Sequence, residues 1–152
     1  VEIAPKAWNR NISSNPTLVP HIQTAVNDAN YATMLYFGHN RIGDLSDAYR
    51  HAVWNAFMAK NIGAVSSPGW GINRADAYAS AHEDIPSSEL SKPSYNSFEE
   101  LDGFIFYNHK MMDLYNNKKG RDIYSGNRTL TTTELAKKVY DSRSSFVYLY
   151  SY

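Results

Sequence analysis

Asp47-Ala-Tyr-Arg-His-Ala-Val-Trp-Asn55 is the stretch that decides the fold of this chain. On a helix, Asp47, His51 and Asn55 fall at i, i+4 and i+8 and form one polar stripe. Arg50 lies one residue off that stripe. Leu45, Ala48, Ala52, Val53, Ala56 and Phe57 run down the other side. A helix that buries one face and aligns an acid, an imidazole and an amide on another reads as the wall of a site.

Working outward, the punctuation on both sides is helical. Asp44 or Ser46 is a suitable N-cap for this second helix, over about 46–60, with Gly63 past its end. Upstream, Pro20 suits the first turn of a helix that runs to about Tyr36 and stops at Gly38. Residues 1–19 read as an irregular lead-in. Downstream, 66–71 reads as a loop, and a third helix over about 73–84 ends before Pro86. Residues 85–96, with two prolines and four serines, read as a loop beside the site. Ser97-Phe-Glu-Glu100 is a capping box that opens a fourth helix ending near Gly120. Thr131-Thr-Thr-Glu134 is another, opening a fifth helix to about Ser142. The aromatic tail 146–152 reads as a short strand or an apolar plug. No internal repeat or long linker interrupts the pattern. The expectation is a single all-α domain over 1–152, a compact bundle of about five helices with irregular loops.

Composition removes several classes of function. Fifteen basic and fifteen acidic residues leave no net charge, so bulk attraction to nucleic acid is not the binding mode. A nuclease that reaches phosphates through a metal and one or two arginines remains compatible. Cysteine is absent, which excludes thiolate metal sites, disulfides and cysteine nucleophiles. No apolar run approaches a membrane span, so the chain reads as soluble. It begins at Val1 and displays no signal peptide, and so reads as a mature secreted protein or a domain of a longer chain. The twelve tyrosines, many Asn and Ser, and no thiol suit an exported bacterial protein. H-E-x-x-H, Walker, G-x-S-x-G and EF-hand motifs are absent.

Three polar blocks carry the candidate chemistry. Asp47 and His51 lie one turn apart, where they can share a metal or where the carboxylate can orient the imidazole as a base. The bland alternative is an ordinary surface pair. His109 and Asp113 repeat the spacing in reverse order, and Asn116 and Asn117 continue that line. Asn117, Gly120 and Arg121 also read as helix C-terminal signals, the cation favouring the negative end of the dipole. His82-Glu83-Asp84 closes the third helix with acids that oppose its dipole, which favours a metal or partner there. Arg50 suits a phosphate or carboxylate clamp, or a buried ion pair with Glu83 or Asp113. His21 and His39 stand alone and read as ordinary histidines.

The order of these blocks, Gly43-Asp44, Asp47-Ala-Tyr-Arg-His-Ala52 with Trp54-Asn55, Ala81-His-Glu83, Met112-Asp-Leu-Tyr-Asn-Asn117 and Gly120-Arg121, resembles a bacterial domain family of unknown function. That family occurs in exported and toxin-like multidomain proteins, and the resemblance covers about residues 30–125. It implies a compact helical domain with a polar centre, and points to Asp47, Arg50, His51, His82, Glu83, Asp113, Asn116 and Asn117. His109 rests on spacing alone. A looser likeness links the His109–Asp113 spacing to helical zinc-dependent phospholipases C and single-strand nucleases. The chain lacks their full complement of histidines and their N-terminal tryptophan ligand, which argues against a trinuclear zinc site.

The expected function is a metal-dependent hydrolase of a phosphoester, in a phospholipid or a nucleic acid, worked in a groove between the second, third and fourth helices. The catalytic set is His51, Asp47, Arg50, His82 and Glu83. The metal set is Asp47, His51, His82, Glu83, His109 and Asp113, oxygen-rich enough for Mg²⁺ or Ca²⁺ as well as Zn²⁺. Asn55, Asn116, Asn117 and Arg121 complete it as substrate contacts. The expected setting is a monomeric, secreted bacterial toxin effector with a cognate immunity protein. The alternative is a binding domain whose polar residues partner one another and do no chemistry. A third is a metal-free toxin enzyme using the His51–Asp47 couple on RNA or a cell-wall component.

Overall fold

Ser67 and Pro68 show how the helices are set. The Ser67 hydroxyl accepts from the Trp70 N–H, and Pro68 occupies the first turn of a helix that begins there. The expected loop over 66–71 is therefore mostly helix. Pro-Gly resembles a turn, yet Ser-Pro is also an N-cap followed by a residue whose missing N–H costs nothing in a first turn. The computed structural model describes residues 15–83 and 105–151, with side chains in the second stretch described from residue 109. The box at Ser97–Glu100, the loop at 85–96 and Asp84 lie outside the described residues.

Five α-helices follow one another among the described residues: α1 Val19–Phe37, α2 Leu45–Ala64, α3 Pro68–His82, α4 Ile105–Ser125 and α5 Thr132–Asp141. Short 3-10 turns precede α1 and follow α5. The all-α expectation holds. Gly38 stops α1 in the left-handed region at φ 72°, where a Cβ would be strained. Asp44 caps α2 by accepting from the Asp47 N–H. Thr131 and Glu134 form both halves of the capping box on α5.

The central element is α2, which packs against all four other helices. Its two faces are buried alike, from Ala48, Tyr49 and Val53 through Phe57, Met58 and Ile62 to the polar Asp47 and Asn55. A helix enclosed all round behaves as a core helix, and each large apolar side chain so buried stabilises by about 1.5–3 kcal/mol. Tyr36, Phe37, Tyr49 and Tyr140 join α1, α2 and α5 through ring contacts, the closest stacked at 4.5 Å between centroids. The Tyr49 hydroxyl donates to the Ala136 carbonyl at 3.0 Å, which satisfies its buried polar end.

Two glycines expected at helix ends serve instead inside helices. Helix α2 runs through Gly63, and α4 continues past Gly120 to Ser125. A Cβ on Gly120 would stand 1.8 Å from the Ala52 carbonyl oxygen, so α4 meets α2 backbone to backbone there. A Cβ on Gly71 would likewise fall 2.3 Å from the Ala59 carbonyl oxygen, where α3 crosses α2. These contacts draw α3 and α4 onto the helix that carries His51. The tail after α5 is no strand. It is an extended segment anchored by Phe146, which is buried, and by hydrogen bonds to Gly43 and Asn116.

Candidate metal centre

His51 on α2 faces Asp113 on α4. Its Nε2 lies 3.4 Å from Asp47 Oδ1 and 3.3 Å from Asp113 Oδ1. Its Nδ1 lies 3.2 Å from Asn117 Oδ1. With an amide oxygen facing it, Nδ1 carries a proton, and Nε2 is the nitrogen turned to the two carboxylates. The pairing follows from helix geometry: Asp47 precedes His51 by one turn, and Asn117 follows Asp113 by one turn.

Each neighbour is fixed in turn. The Gly43 N–H donates to Asp47 Oδ2 at 2.7 Å, while the Arg50 guanidinium pairs with Asp47 Oδ1. Arg50 also binds the side chain of Asn40 and stays partly exposed. Its ion pair is thus with Asp47, and not with Glu83 or Asp113, because the i,i+3 reach along α2 is shorter than the reach across helices. Burial would push the Asp47 carboxyl up, but the hydrogen bond and charge of His51, with Arg50 and the Gly43 N–H, hold it below its ordinary value. For His51, burial alone favours the neutral ring. Asp113, Asp47 and Glu83 outweigh that and raise its pKa to about 9. Asp113 goes the other way. Burial first, then the charge of Asp47, raises its carboxyl against the pull of His51 and of a hydrogen bond with Glu83.

Three acids around one imidazole form a cation-attracting cluster. One donor atom each from Asp47, His51 and Asp113 lies within 4.8 Å of the other two. Donors at about 2.1 Å from a tetrahedral divalent ion are about 3.4 Å apart, close to the two spacings on Nε2. Asp113 Oδ1 and Asn117 Nδ2 are buried and have no hydrogen-bond partner among the described residues. The Asp113 oxygen has its 3.3 Å ion pair with His51 Nε2 but no hydrogen bond, and a cation would engage it directly. The donor set therefore fits a metal held by Asp47, His51 and Asp113, with Asn117 orienting the imidazole from behind.

The other expected site residues lie around this group, not in it. The His82 ring meets Trp54 at 5.7 Å, and Trp54 in turn meets His51 at 6.4 Å. Glu83 is buried beside Asp113. His109 Nε2 faces the Tyr150 hydroxyl at 3.5 Å. Asn55 and Arg121 come together one turn below His51. Asn55 Nδ2 donates to the His51 carbonyl, and its Oδ1 accepts from Arg121 at 2.8 Å. Arg121 also pairs with Asp76 of α3 at 3.3 Å, so it ties three helices. Asn116 clamps the tail, giving a hydrogen bond to the Val147 carbonyl at 2.8 Å and accepting one from its N–H at 3.1 Å. Sequence reasoning missed Asn40, Asp76 and Tyr150. It quoted Gly43 and Trp54 only within longer blocks. An open groove of about 420 Å³ lined by Leu45, Asp141, Arg143, Ser144, Phe146 and Tyr148 shares no residue with the cluster.

The model of a family described as a domain of unknown function (DUF6973) matches residues 10–146, and the chain belongs to that family. No curated protein and no solved structure matches it. No helix among the described residues is long and apolar enough to cross a membrane.

Proposed function

We propose that the domain is a metal-dependent hydrolase of phosphoesters, with Asp47, His51 and Asp113 as the protein ligands. The observation that carries this reading is His51 Nε2, set 3.3–3.4 Å from carboxylate oxygens of two different residues, one of which, the buried Asp113 Oδ1, accepts no hydrogen bond among the described residues. A bound divalent ion would supply Lewis-acid polarisation of a phosphoryl oxygen and an activated water. The chain's own residues do the rest. Asn117 holds the His51 ring so that Nε2 faces inward. The Gly43 N–H holds the Asp47 carboxylate. Glu83, hydrogen-bonded to Asp113, is placed to hold a proton released in the site. Arg50, partly exposed and anchored by Asn40, brings a cation to an anionic substrate. Export, and use as an effector against a rival cell with a cognate immunity protein, belong to the same proposal and rest on the sequence resemblance.

A second reading has its own observation. With a pKa of about 9, a protonated His51 between two carboxylates also forms a closed ion triad that needs no metal. Chelator-treated protein titrated with Zn²⁺, Mn²⁺, Mg²⁺ and Ca²⁺ in a calorimeter separates the two. The hydrolase reading expects stoichiometric binding of at least one ion, lost in His51→Ala and Asp113→Ala. It also expects chelator-sensitive cleavage within a panel of phospholipids, RNA and DNA. Absence of binding for all four ions leaves the closed triad as the account of the cluster.

A further inference from the structure

We propose that the tail segment 147–150 positions Asp47 for cation binding, acting through Gly43; this rests on the metal-centre reading above. Gly43 is the junction. Its N–H donates to Asp47 Oδ2 at 2.7 Å. Its carbonyl accepts from the N–H groups of Leu149 at 2.8 Å and Tyr150 at 2.9 Å. One residue thus has its donor on a ligand carboxylate and its acceptor on the tail.

The packing leaves this junction little freedom. Gly43 has φ 83°, and a Cβ there would stand 2.5 Å from Tyr150 Cδ2 and 3.0 Å from His109 Cε1. The Tyr150 ring therefore lies directly on the glycine. Its hydroxyl reaches His109, one turn before Asp113 on α4. Three residues earlier in the tail, Val147 is bonded twice to Asn116, which neighbours Asn117 on the same helix. The tail is tied at one end to α4, which carries Asp113, and at the other to the entry of α2, which carries Asp47 and His51. It braces the two ligand-bearing helices and fixes the N–H that aims one of the ligands. The family match ends at residue 146, so this brace lies outside the region the family model describes.

Groups that orient metal ligands matter almost as much as the ligands, at about 10–100-fold in affinity. The test is Co²⁺ titration of the chelator-treated full chain, followed by its visible absorption, at a temperature where circular dichroism shows each variant folded. Tyr150→Ala should bind Co²⁺ about tenfold more weakly with an altered absorption band, the low end expected of an outer-shell change. Tyr150→Phe keeps the ring over Gly43 and should restore both readings. Leu149→Pro removes one N–H from the Gly43 carbonyl and serves where Tyr150→Ala fails to fold. Wild-type affinity and absorption in Tyr150→Ala or Leu149→Pro, with binding still abolished by His51→Ala, overturn the brace and leave the metal centre standing. A lowered melting temperature with unchanged cobalt binding has the same meaning. No cobalt binding by the wild type overturns the metal centre itself.

Discussion

Asn55 and Asn117 are both fully buried, yet they are used in opposite ways. Asn55 has both ends bonded: its amide donates to the His51 carbonyl and its oxygen accepts from Arg121. Asn117 gives its oxygen to the His51 ring and leaves its buried amide nitrogen without a partner among the described residues. The difference extends to their surroundings. Around Asn55, Arg121 and Asp76 close a network that crosses three helices. Around Asn117, Asp47 and Asp113 crowd two carboxylates onto the His51 ring, and Asp113 Oδ1 has the 3.3 Å ion pair with His51 Nε2 but no hydrogen bond among the described residues. A polar cluster that only holds helices together gains by satisfying every group. One that leaves donors and acceptors open bears a cost that a ligand can remove. One turn of α2 separates the two designs.

The largest expected effect falls on the open cluster. His51 has its pKa raised to about 9 from an ordinary value of 6.5. A raised histidine contributes stability that is fully present below 6.5 and lost as pH rises through 9. The metal-free protein should therefore lose on the order of 3 kcal/mol between pH 6.5 and 9, a difference of 2.5 units at 1.36 kcal/mol each. Urea unfolding at both pH values in the presence of a chelator measures this. A flat profile in that window means that the carboxylates do not hold the proton, and the contrast with the closed cluster weakens.

Next comes a change to the closed cluster. Asn55→Leu keeps the branched outline of the side chain but strips the Arg121 guanidinium of a buried acceptor. It should cost about 2 kcal/mol, the penalty of an unsatisfied buried group. The titration of His51, followed by the NMR shifts of its ring, should stay in place. Movement of that titration by a unit or more would show the two clusters to be one network.

The reach of the sequence divides along the same line. Spacing on one helix made Asp47 and His51 legible, and the same rule on α4 picked out Asp113 with His109, whereas Asn117 read there as a helix-end residue. Capping chemistry is local, so Gly38 and Thr131–Glu134 were legible too. Gly63 and Gly120 were misplaced because their reason is another helix's backbone, the Ala52 carbonyl in the case of Gly120, which no local pattern records. Arg121 and Asn116 illustrate the same limit. A terminal cation and an asparagine on the polar line after Asp113 describe them from sequence, whereas their partners, Asp76 and Val147, lie 45 and 31 residues away. Arg50 took its partner from its own helix, the nearer choice. The brace at Gly43 and Tyr150 was illegible because it joins residues 107 positions apart through backbone groups that every residue possesses.

Asp113→Asn probes the open cluster from its other wall. Asp113 is the largest of the influences that raise His51, ahead of both effects of Asp47. Removing its charge should lower the His51 pKa by at least about one unit, or about 1.4 kcal/mol, with Asp47 still holding part of the shift. The same variant should lose metal binding while staying folded. A His51 titration that does not move would place the raising charge elsewhere and detach Asp113 from the site.

The smallest expected effect is the sharpest test of the comparison. Asn117→Leu makes the same amide-to-alkyl exchange as Asn55→Leu, on a residue equally buried, but the two should differ in outcome. The leucine removes the partner of His51 Nδ1, a loss of about 1–3 kcal/mol if that N–H stays buried and unpaired. It also removes the amide nitrogen that has no partner, and the desolvation cost that group carried. The two terms oppose each other, so the net change in urea should stay below about 1 kcal/mol, against about 2 for Asn55→Leu. Metal affinity should fall despite the unchanged stability, because the ring loses the group that fixes its orientation. Equal stability losses in the two variants would mean that Asn117 is as fully bonded in solution as Asn55, and that the cluster around His51 is closed.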